Sequence, residues 1–224
     1  MPGDAPHPGL SSPPAAEIDR ASALCLRPPP GRFAGLFGAG AHRLALRALA
    51  LPLLSGEPAV IVDGGNRFDP YEIVRAERAL GGSGREALSH LLVSRAFTCH
   101  QMEALLSRRL DPALARSGAR LAVVLGLPET FADADVPFAE ACRVFRGCLA
   151  ALRRSARGGT RVVLAGGEIP ADGGRAGFLR HLVRAADPCL LLRREEDRAG
   201  TLLQRKTQAQ EMSPMGDVPR KGVR

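Results

Sequence analysis

One glycine-rich stretch has the residue types and spacing of a phosphate-binding turn. The sequence GLFGAGAH, which begins at Gly35, matches the frame of the pattern G-x-x-x-x-G-K-[ST], with Gly38 and Gly40 as its other glycines. In that pattern the lysine neutralises the β- and γ-phosphates and the hydroxyl binds magnesium. Ala41 and His42 stand at those two positions. The stretch therefore predicts a degenerate nucleotide site that binds no cofactor, or ATP only weakly through backbone N–H groups.

Acids, histidines and cysteines elsewhere lack the spacing typical of catalysis or of a metal centre. The histidines fall on separate segments, and no C-x-x-C pair is present. We therefore predict no catalytic residue and no metal site, and we expect the cysteines to be reduced core residues. Asp63 and the pair Asp133 and Asp135 remain the alternative ligands for a divalent ion, although capping and solvation explain them more simply.

Short apolar runs alternate with helix-like segments along most of the chain, and the first predicted helix covers residues 43–54. Proline or a capping residue opens several helices, including Asp69-Pro70 with Glu72 closing a capping box, and Thr98 with Gln101 three residues later. This alternation predicts an α/β fold, a mostly parallel twisted sheet flanked by helices on both faces. The expected strands are residues 33–37, 59–63, 91–93, 121–125 and 162–164, and residues 189–192 and 201–203 are expected to form a C-terminal antiparallel hairpin.

The two ends of the chain differ in composition from its middle. Residues 1–31 are rich in proline and predict a mostly disordered leader. Residues 205–224 are polar, with five basic and two acidic side chains, and predict a basic disordered tail. We expect residues 32–204 to form a single core domain, since this length suffices for a sizeable hydrophobic core.

The charge balance favours acidic partners. The chain has 31 basic and 23 acidic residues, a net charge of +8, and almost all of the basic residues are arginine. Arginine suits bidentate phosphate contacts, but the same excess is typical of GC-rich genomes, and composition leaves both explanations open. The sequence shows no signal peptide and no apolar run of membrane-spanning length, which predicts a cytoplasmic protein without membrane contact.

Two segments resemble the ATPase core of the RecA/RadA recombinase family. Residues 61–73, IVDGGNRFDPYEI, are similar to the family's strand "IDTE" followed by a helix start "RF-PERI". Residues 93–101, VSRAFTCHQ, are similar to its segment "ARAF-TDHQ". The resemblance covers approximately residues 33–204 and implies a RecA-like core.

The residues that carry the family's chemistry are missing. The resemblance places Gly65 where the family has the glutamate that activates water, and Gly126 where it has the magnesium-binding aspartate. With Ala41 and His42, all four functional positions are changed. Groups of this kind act as a unit, so their joint loss implies a pseudo-ATPase.

The resemblance also implies a role in DNA metabolism. The family's DNA-binding loops include one that corresponds to residues 165–177. We predict a catalytically inactive RecA/RadA-like protein that acts in DNA repair, recombination or its regulation by binding DNA, a recombinase or a polymerase. The alternatives are an atypical nucleotide-dependent ATPase of the same superfamily and an adaptor without a nucleic-acid role. The candidate contact residues for DNA or a partner are Arg175, Arg180, Arg205 and Lys206.

Overall fold

The computed structural model describes residues 28–167 and 174–192. Its centre is a six-stranded sheet with the order β3-β2-β4-β5-β1-β6, and all its strand pairs are parallel. The predicted α/β fold with a parallel sheet is therefore confirmed. The strands are β1 (Phe33–Gly38), β2 (Ala59–Gly64), β3 (Leu91–Ala96), β4 (Leu121–Leu125), β5 (Arg161–Gly166) and β6 (Cys189–Leu192).

Helices cover both faces of the sheet, as predicted. The first face carries α1 (Ala41–Ala48), α2 (Ala50–Leu54), α3 (Pro70–Ala79) and α4 (Glu86–Ser89). The second face carries α5 (Cys99–Ala104), a π-helical turn (Leu105–Arg109), α6 (Leu110–Ser117), a 3-10 turn (Glu129–Phe131), α7 (Phe138–Arg157) and α8 (Ala176–Ala185).

Side chains of the central strands alternate between two hydrophobic clusters. Val60 and Val62 of β2 pack with the helices of the second face, whereas Ile61 between them packs with those of the first. All six residues of β2 are buried. A strand covered on both sides needs apolar residues at consecutive positions, which explains the continuous apolar run at residues 59–62 before Asp63.

Of the predicted C-terminal hairpin, the structure describes only the first arm, β6. β6 pairs in parallel with β1, with Leu36 opposite Leu190, so in the described structure it extends the main sheet. The second arm of the predicted hairpin, residues 201–203, lies outside the described residues, as do most of the predicted leader and the whole predicted tail. Helix α8 returns the chain to the side of the sheet where the strands begin, so β6 runs parallel to β1.

Two predicted helix starts are confirmed. The Asp69 carboxylate accepts the Tyr71 N–H at 2.9 Å, with Pro70 as the first residue of α3. Thr98 Oγ1 accepts the Gln101 N–H at 3.2 Å, and Gln101 Oε1 accepts the Phe97 N–H at 2.8 Å. This reciprocal pair is a variant of the capping box. The Gln101 side chain accepts from Phe97, the residue before the N-cap, instead of from the N-cap residue Thr98 itself.

Two details of the predicted helices are wrong. Glu72 closes no capping box, because its Oε2 instead accepts a 2.6 Å hydrogen bond from Arg47 Nε of α1. The helix expected over residues 43–54 is two helices that meet at Leu49. Pro52 has no N–H to donate to the Ala48 carbonyl, so the helical hydrogen-bond ladder is interrupted there.

Within the described ranges, no helix is both long enough and apolar enough to cross a membrane.

Candidate nucleotide site at the carboxyl edge of the sheet

The positions singled out by the glycine pattern and by the family resemblance meet at one edge of the sheet. Because all the strands are parallel, their carboxyl ends lie together, and ligands of open α/β sheets bind in crevices at this edge. Gly38 ends β1, Gly65 follows β2, and Gly126 follows β4. The strands β1 and β5 are neighbours in the sheet, but the helices that follow them lie on different faces: α1 on the first face and α8 on the second. This change of face occurs beside the glycine turn.

Gly35 lies inside β1 instead of in a loop. It stands opposite Leu164 and Cys189 in the sheet register. A Cβ atom at this position would overlap the Phe37 ring and lie 2.7 Å from Ala186 Cβ. Gly35 therefore permits close packing of the strand, and only Ala39 and Gly40 separate β1 from α1. The loop is shorter than the G-x-x-x-x-G spacing suggested.

Gly38 and Gly40 shape the short turn before α1. Gly38 has a φ of +112°, and a Cβ there would overlap the Leu192 carbonyl oxygen. Gly40 has a φ of +75° with nothing near its Cβ position, and no side chain caps α1. Ala41, at the lysine position, is fully buried. The turn thus presents backbone N–H groups and no cation at that position, which limits any phosphate contact to a weak one.

Asp63 is engaged in the loop that follows β2. Its side chain is fully buried, and Oδ1 accepts the Arg67 N–H at 2.7 Å. Its Oδ2 accepts no hydrogen bond among the described residues but lies 3.4 Å from Arg95 Nε. Gly65 and Asn66 complete the turn with positive φ angles of 72° and 58°. Asp63 therefore stabilises this turn and its neighbour strand, and both oxygens face groups of the protein.

Gly126 is pressed against β2. Its N–H donates to the Ala165 carbonyl at 2.8 Å, its φ is +63°, and a Cβ atom there would overlap the Gly64 carbonyl oxygen. The backbone of β2 thus occupies the space that a side chain would need. An aspartate at this position requires displacement of β2 or β4.

Glu129 is a half-buried acid at this edge, to which the sequence assigned no function. Its Oε1 accepts the Gly167 N–H at 2.9 Å. Its Oε2 is buried and has no hydrogen-bond partner within the described ranges, and a Cβ on Gly166 would lie 2.8 Å from it. The glycines after β5 leave room for this carboxylate. Only its position three residues after Gly126 in a strand-end loop could have signalled it.

The acidic loop before α7 shows no metal geometry. Asp133 Oδ1 accepts the Asp135 N–H at 2.9 Å, and both residues are exposed. Asp135 does not cap α7, whose N-cap residue is Pro137 without a side-chain bond. Across the described part of the chain, no three His, Cys, Asp or Glu side chains group as metal ligands would.

Two cysteines near this edge and in α7 are core residues, as expected. Burial raises the pKa of the Cys148 thiol far above its ordinary value, and the Glu103 carboxylate adds to the shift. Burial also raises the pKa of Cys99 at the start of α5. A raised pKa lowers the thiolate fraction, so neither thiol is arranged as a nucleophile.

The candidate DNA contacts differ in their surroundings. The Arg175 guanidinium donates to the Phe131 carbonyl at 2.9 Å and to the Val136 carbonyl, so it anchors the loop between β4 and α7. Arg180 is exposed on α8. Arg205 and Lys206 lie outside the described residues, as do residues 168–173 of the expected DNA-binding loop.

A row of arginines on α7 was not singled out from the sequence. The exposed residues of this helix between 143 and 157 are one alanine and five arginines. We call the arginines the arginine stripe. In the sequence, successive arginines separated by three, seven and four residues could have indicated that they share one face of an amphipathic helix. The stripe consists of Arg143, Arg146, Arg153, Arg154 and Arg157.

No protein-family model matches the chain, and no curated protein matches it either.

Proposed function

We propose that this chain is a catalytically inactive RecA/RadA-like protein that acts in DNA repair, recombination or its regulation by binding DNA, a recombinase or a polymerase. The observation that carries the inactive part of the proposal is the packing at Gly126. Metal-assisted phosphoryl transfer needs a carboxylate that holds magnesium beside the phosphates. At Gly126 the Gly64 carbonyl fills the volume of any side chain.

Two of the other three positions, and the acids that lie near them, support the same conclusion. Ala41 is buried and uncharged where a lysine would bind phosphate. Gly65 supplies no carboxylate to activate water, and its own Cβ position lies 4.0 Å from Glu129 Cβ. The Glu129 carboxylate binds the Gly167 N–H through Oε1. Asp63, the metal ligand of the ATPase alternative, is held by Arg67 and Arg95.

The DNA-binding part of the proposal rests on charge. A net charge of +8 attracts polyanions, and phosphate contacts release counterions, which makes such binding depend strongly on salt. The expectation of a recombinase or polymerase partner comes from the family resemblance in residues 61–73 and 93–101.

The proposal is tested by measuring ATP hydrolysis, binding of a fluorescent ATP analogue with magnesium, and binding of single-stranded and duplex DNA. We expect no magnesium-dependent turnover, and DNA affinity that falls steeply between about 50 and 200 mM salt. Turnover that disappears in Asp63→Ala, while Asn66→Ala in the same loop keeps it, would instead establish the ATPase alternative.

Exposed aromatic residues favour the adaptor as a second candidate. Tyr71 and Phe97 are 68% and 67% exposed, and they follow the neighbouring strands β2 and β3 at the carboxyl edge. Exposed aromatic side chains are enriched at protein interfaces. Salt-insensitive binding of a protein that is neither a recombinase nor a polymerase, lost in Tyr71→Ala or Phe97→Ala and accompanied by no DNA affinity, would support this candidate.

A further inference from the structure

We propose that the arginine stripe of α7 is a binding surface for the phosphate backbone of duplex DNA. The inference rests on the proposed function, for which it names a surface and a ligand. In sequence, the stripe lies outside the loop at residues 165–177 that the family resemblance implies and outside the basic tail at residues 205–224.

The stripe is straight, with one gap at the exposed Ala150 between Arg146 and Arg153. At 100° per residue, its five arginines fall within a sector of about 100° on the helix, and at 1.5 Å per residue they extend over about 21 Å. The opposite side of α7 is buried against the sheet through residues such as Phe145, Cys148 and Leu152. The stripe is therefore fixed on a rigid support and faces outward.

Three of the stripe's guanidinium groups have no competing partner. Within residues 28–167 and 174–192, no hydrogen bond or ion pair engages Arg146, Arg153 or Arg157. Arg143 lies 3.6 Å from Glu140, and Arg154 lies 3.2 Å from Asp111. These pairs leave an excess of positive charge along the helix, with five donor N–H groups on each free guanidinium.

Neighbouring elements extend the positive charge. Arg108 and Arg109 are exposed on the π-helical turn, whose Ser107 carbonyl accepts a hydrogen bond from Arg154 at 3.1 Å. On the other side, Arg180 is exposed on α8, which packs against α7 with the Phe145 and Phe178 rings 4.8 Å apart. Arg108, Arg109 and Arg180 thus add exposed basic residues on the two elements that pack beside α7.

The composition of the stripe distinguishes between acidic ligands. A groove for single strands combines basic residues with aromatic rings on which bases stack, and between Arg143 and Arg157 no aromatic residue is exposed. A helix that lies on a membrane inserts large apolar side chains, whereas the apolar side of α7 packs on the sheet. Arginines in a fixed row are suited to phosphates in a fixed row, which a duplex provides.

The test compares two triple variants of the full chain. Arg146→Ala/Arg153→Ala/Arg157→Ala removes the unpaired part of the stripe and keeps good helix formers in α7. The matched control removes three exposed arginines from the opposite face of the sheet and changes the net charge equally. It is Arg75→Ala/Arg78→Ala/Arg85→Ala.

Binding of a short labelled duplex is measured by anisotropy at several salt concentrations. Each lost phosphate contact lowers the slope of log K against log salt by about 0.9, so the stripe variant should lose about 2.7 from the slope. We expect its affinity at low salt to fall by about tenfold or more, whereas the control keeps the wild-type slope. Circular dichroism melting verifies that both variants are folded.

Other outcomes separate the inference from the proposed function. If both variants lost the same duplex affinity and the same salt slope, the effect would be one of general charge, and the stripe would be overturned as the binding site. Wild-type binding to single strands but not to duplex would overturn the inference and leave the proposed function intact. Wild-type binding only to phosphatidylserine vesicles, or to no nucleic acid, would overturn both the inference and the DNA-binding part of the function.

Discussion

Replacing Gly126 with alanine tests the packing on which the proposed loss of catalysis depends. Gly126 has a φ of +63°, and the new methyl group would overlap the Gly64 carbonyl oxygen. Gly118, at the end of α6, provides a matched control because its φ is +68° and nothing lies within 4 Å of its Cβ position. Both variants add one methyl group at a left-handed backbone position, and only one of them meets a neighbour.

The free-energy cost of the left-handed backbone can be separated from the cost of the overlap with Gly64. A left-handed conformation costs a residue other than glycine about 1–2 kcal/mol, which is the whole effect expected for Gly118→Ala. Overpacking adds about 1–3 kcal/mol, so Gly126→Ala should lose about 2–5 kcal/mol in total. This is a large share of the roughly 5–15 kcal/mol by which a domain is stable.

Urea denaturation followed by circular dichroism measures both free energies of unfolding. The informative quantity is the difference between the variants, because it cancels the backbone term. If Gly126→Ala and Gly118→Ala lose the same stability within about 0.5 kcal/mol, the close approach of β2 is wrong. An aspartate could then be accommodated at Gly126, and the argument for an inactive site would lose its main support.

Three further predictions concern buried polar groups and thiols. Arg175→Ala should lower the free energy of unfolding by about 1–3 kcal/mol, because two loop carbonyls lose their donor, and it should leave the salt slope of DNA binding unchanged. Asp63→Ala should destabilise the protein more than Asp63→Asn, since asparagine keeps an acceptor for the Arg67 N–H; urea denaturation measures both. The raised pKa of Cys148 means that the unfolded thiol ionises first, so above about pH 9 stability should fall by up to about 1.4 kcal/mol per pH unit, as denaturation at several pH values would show.

Each of these three predictions has an outcome that would contradict it. A reduced salt slope in Arg175→Ala would assign that side chain to DNA after all. Equal stability of the two Asp63 variants would remove the role assigned to its hydrogen bond. For the thiol, the sign follows from linkage: the folded state retains its proton to higher pH, so stability is complete at neutral pH and is lost on the alkaline side. An alkaline slope unchanged in Cys148→Ala would contradict it.

Local signals in the sequence predicted most of the secondary structure. All five predicted core strands are present. Four of them are buried on both faces, which requires apolar residues at consecutive positions, whereas β3 at the sheet edge is mostly half-buried. The helix starts at Asp69 and Thr98 were predictable since a cap and its partner N–H lie within three residues. The capping role predicted for Glu72 was wrong because its side chain binds Arg47, which is 25 residues away in the sequence.

The candidate site was only partly predictable. The resemblance implied which of the RecA/RadA family's functional side chains this chain lacks, since the residues at positions 41, 65 and 126 can be read directly from the sequence. It could not indicate that Gly35 lies within a strand, or that Glu129 approaches Gly167 from a loop 38 residues earlier. Such contacts depend on which strands become neighbours.

Taken alone, the sequence determined the class of fold, the alternation of strands and helices, the basic charge and the absence of the phosphate-binding lysine. These properties reside in residue types and in spacings shorter than a helix. The tertiary structure decided the strand order, the parallel direction of β6, the close approach of Gly126 to Gly64 and the engagement of Arg175 with carbonyl groups. Each of these is set by packing between segments distant in the chain, where the energy of a contact depends on geometry that no local pattern contains.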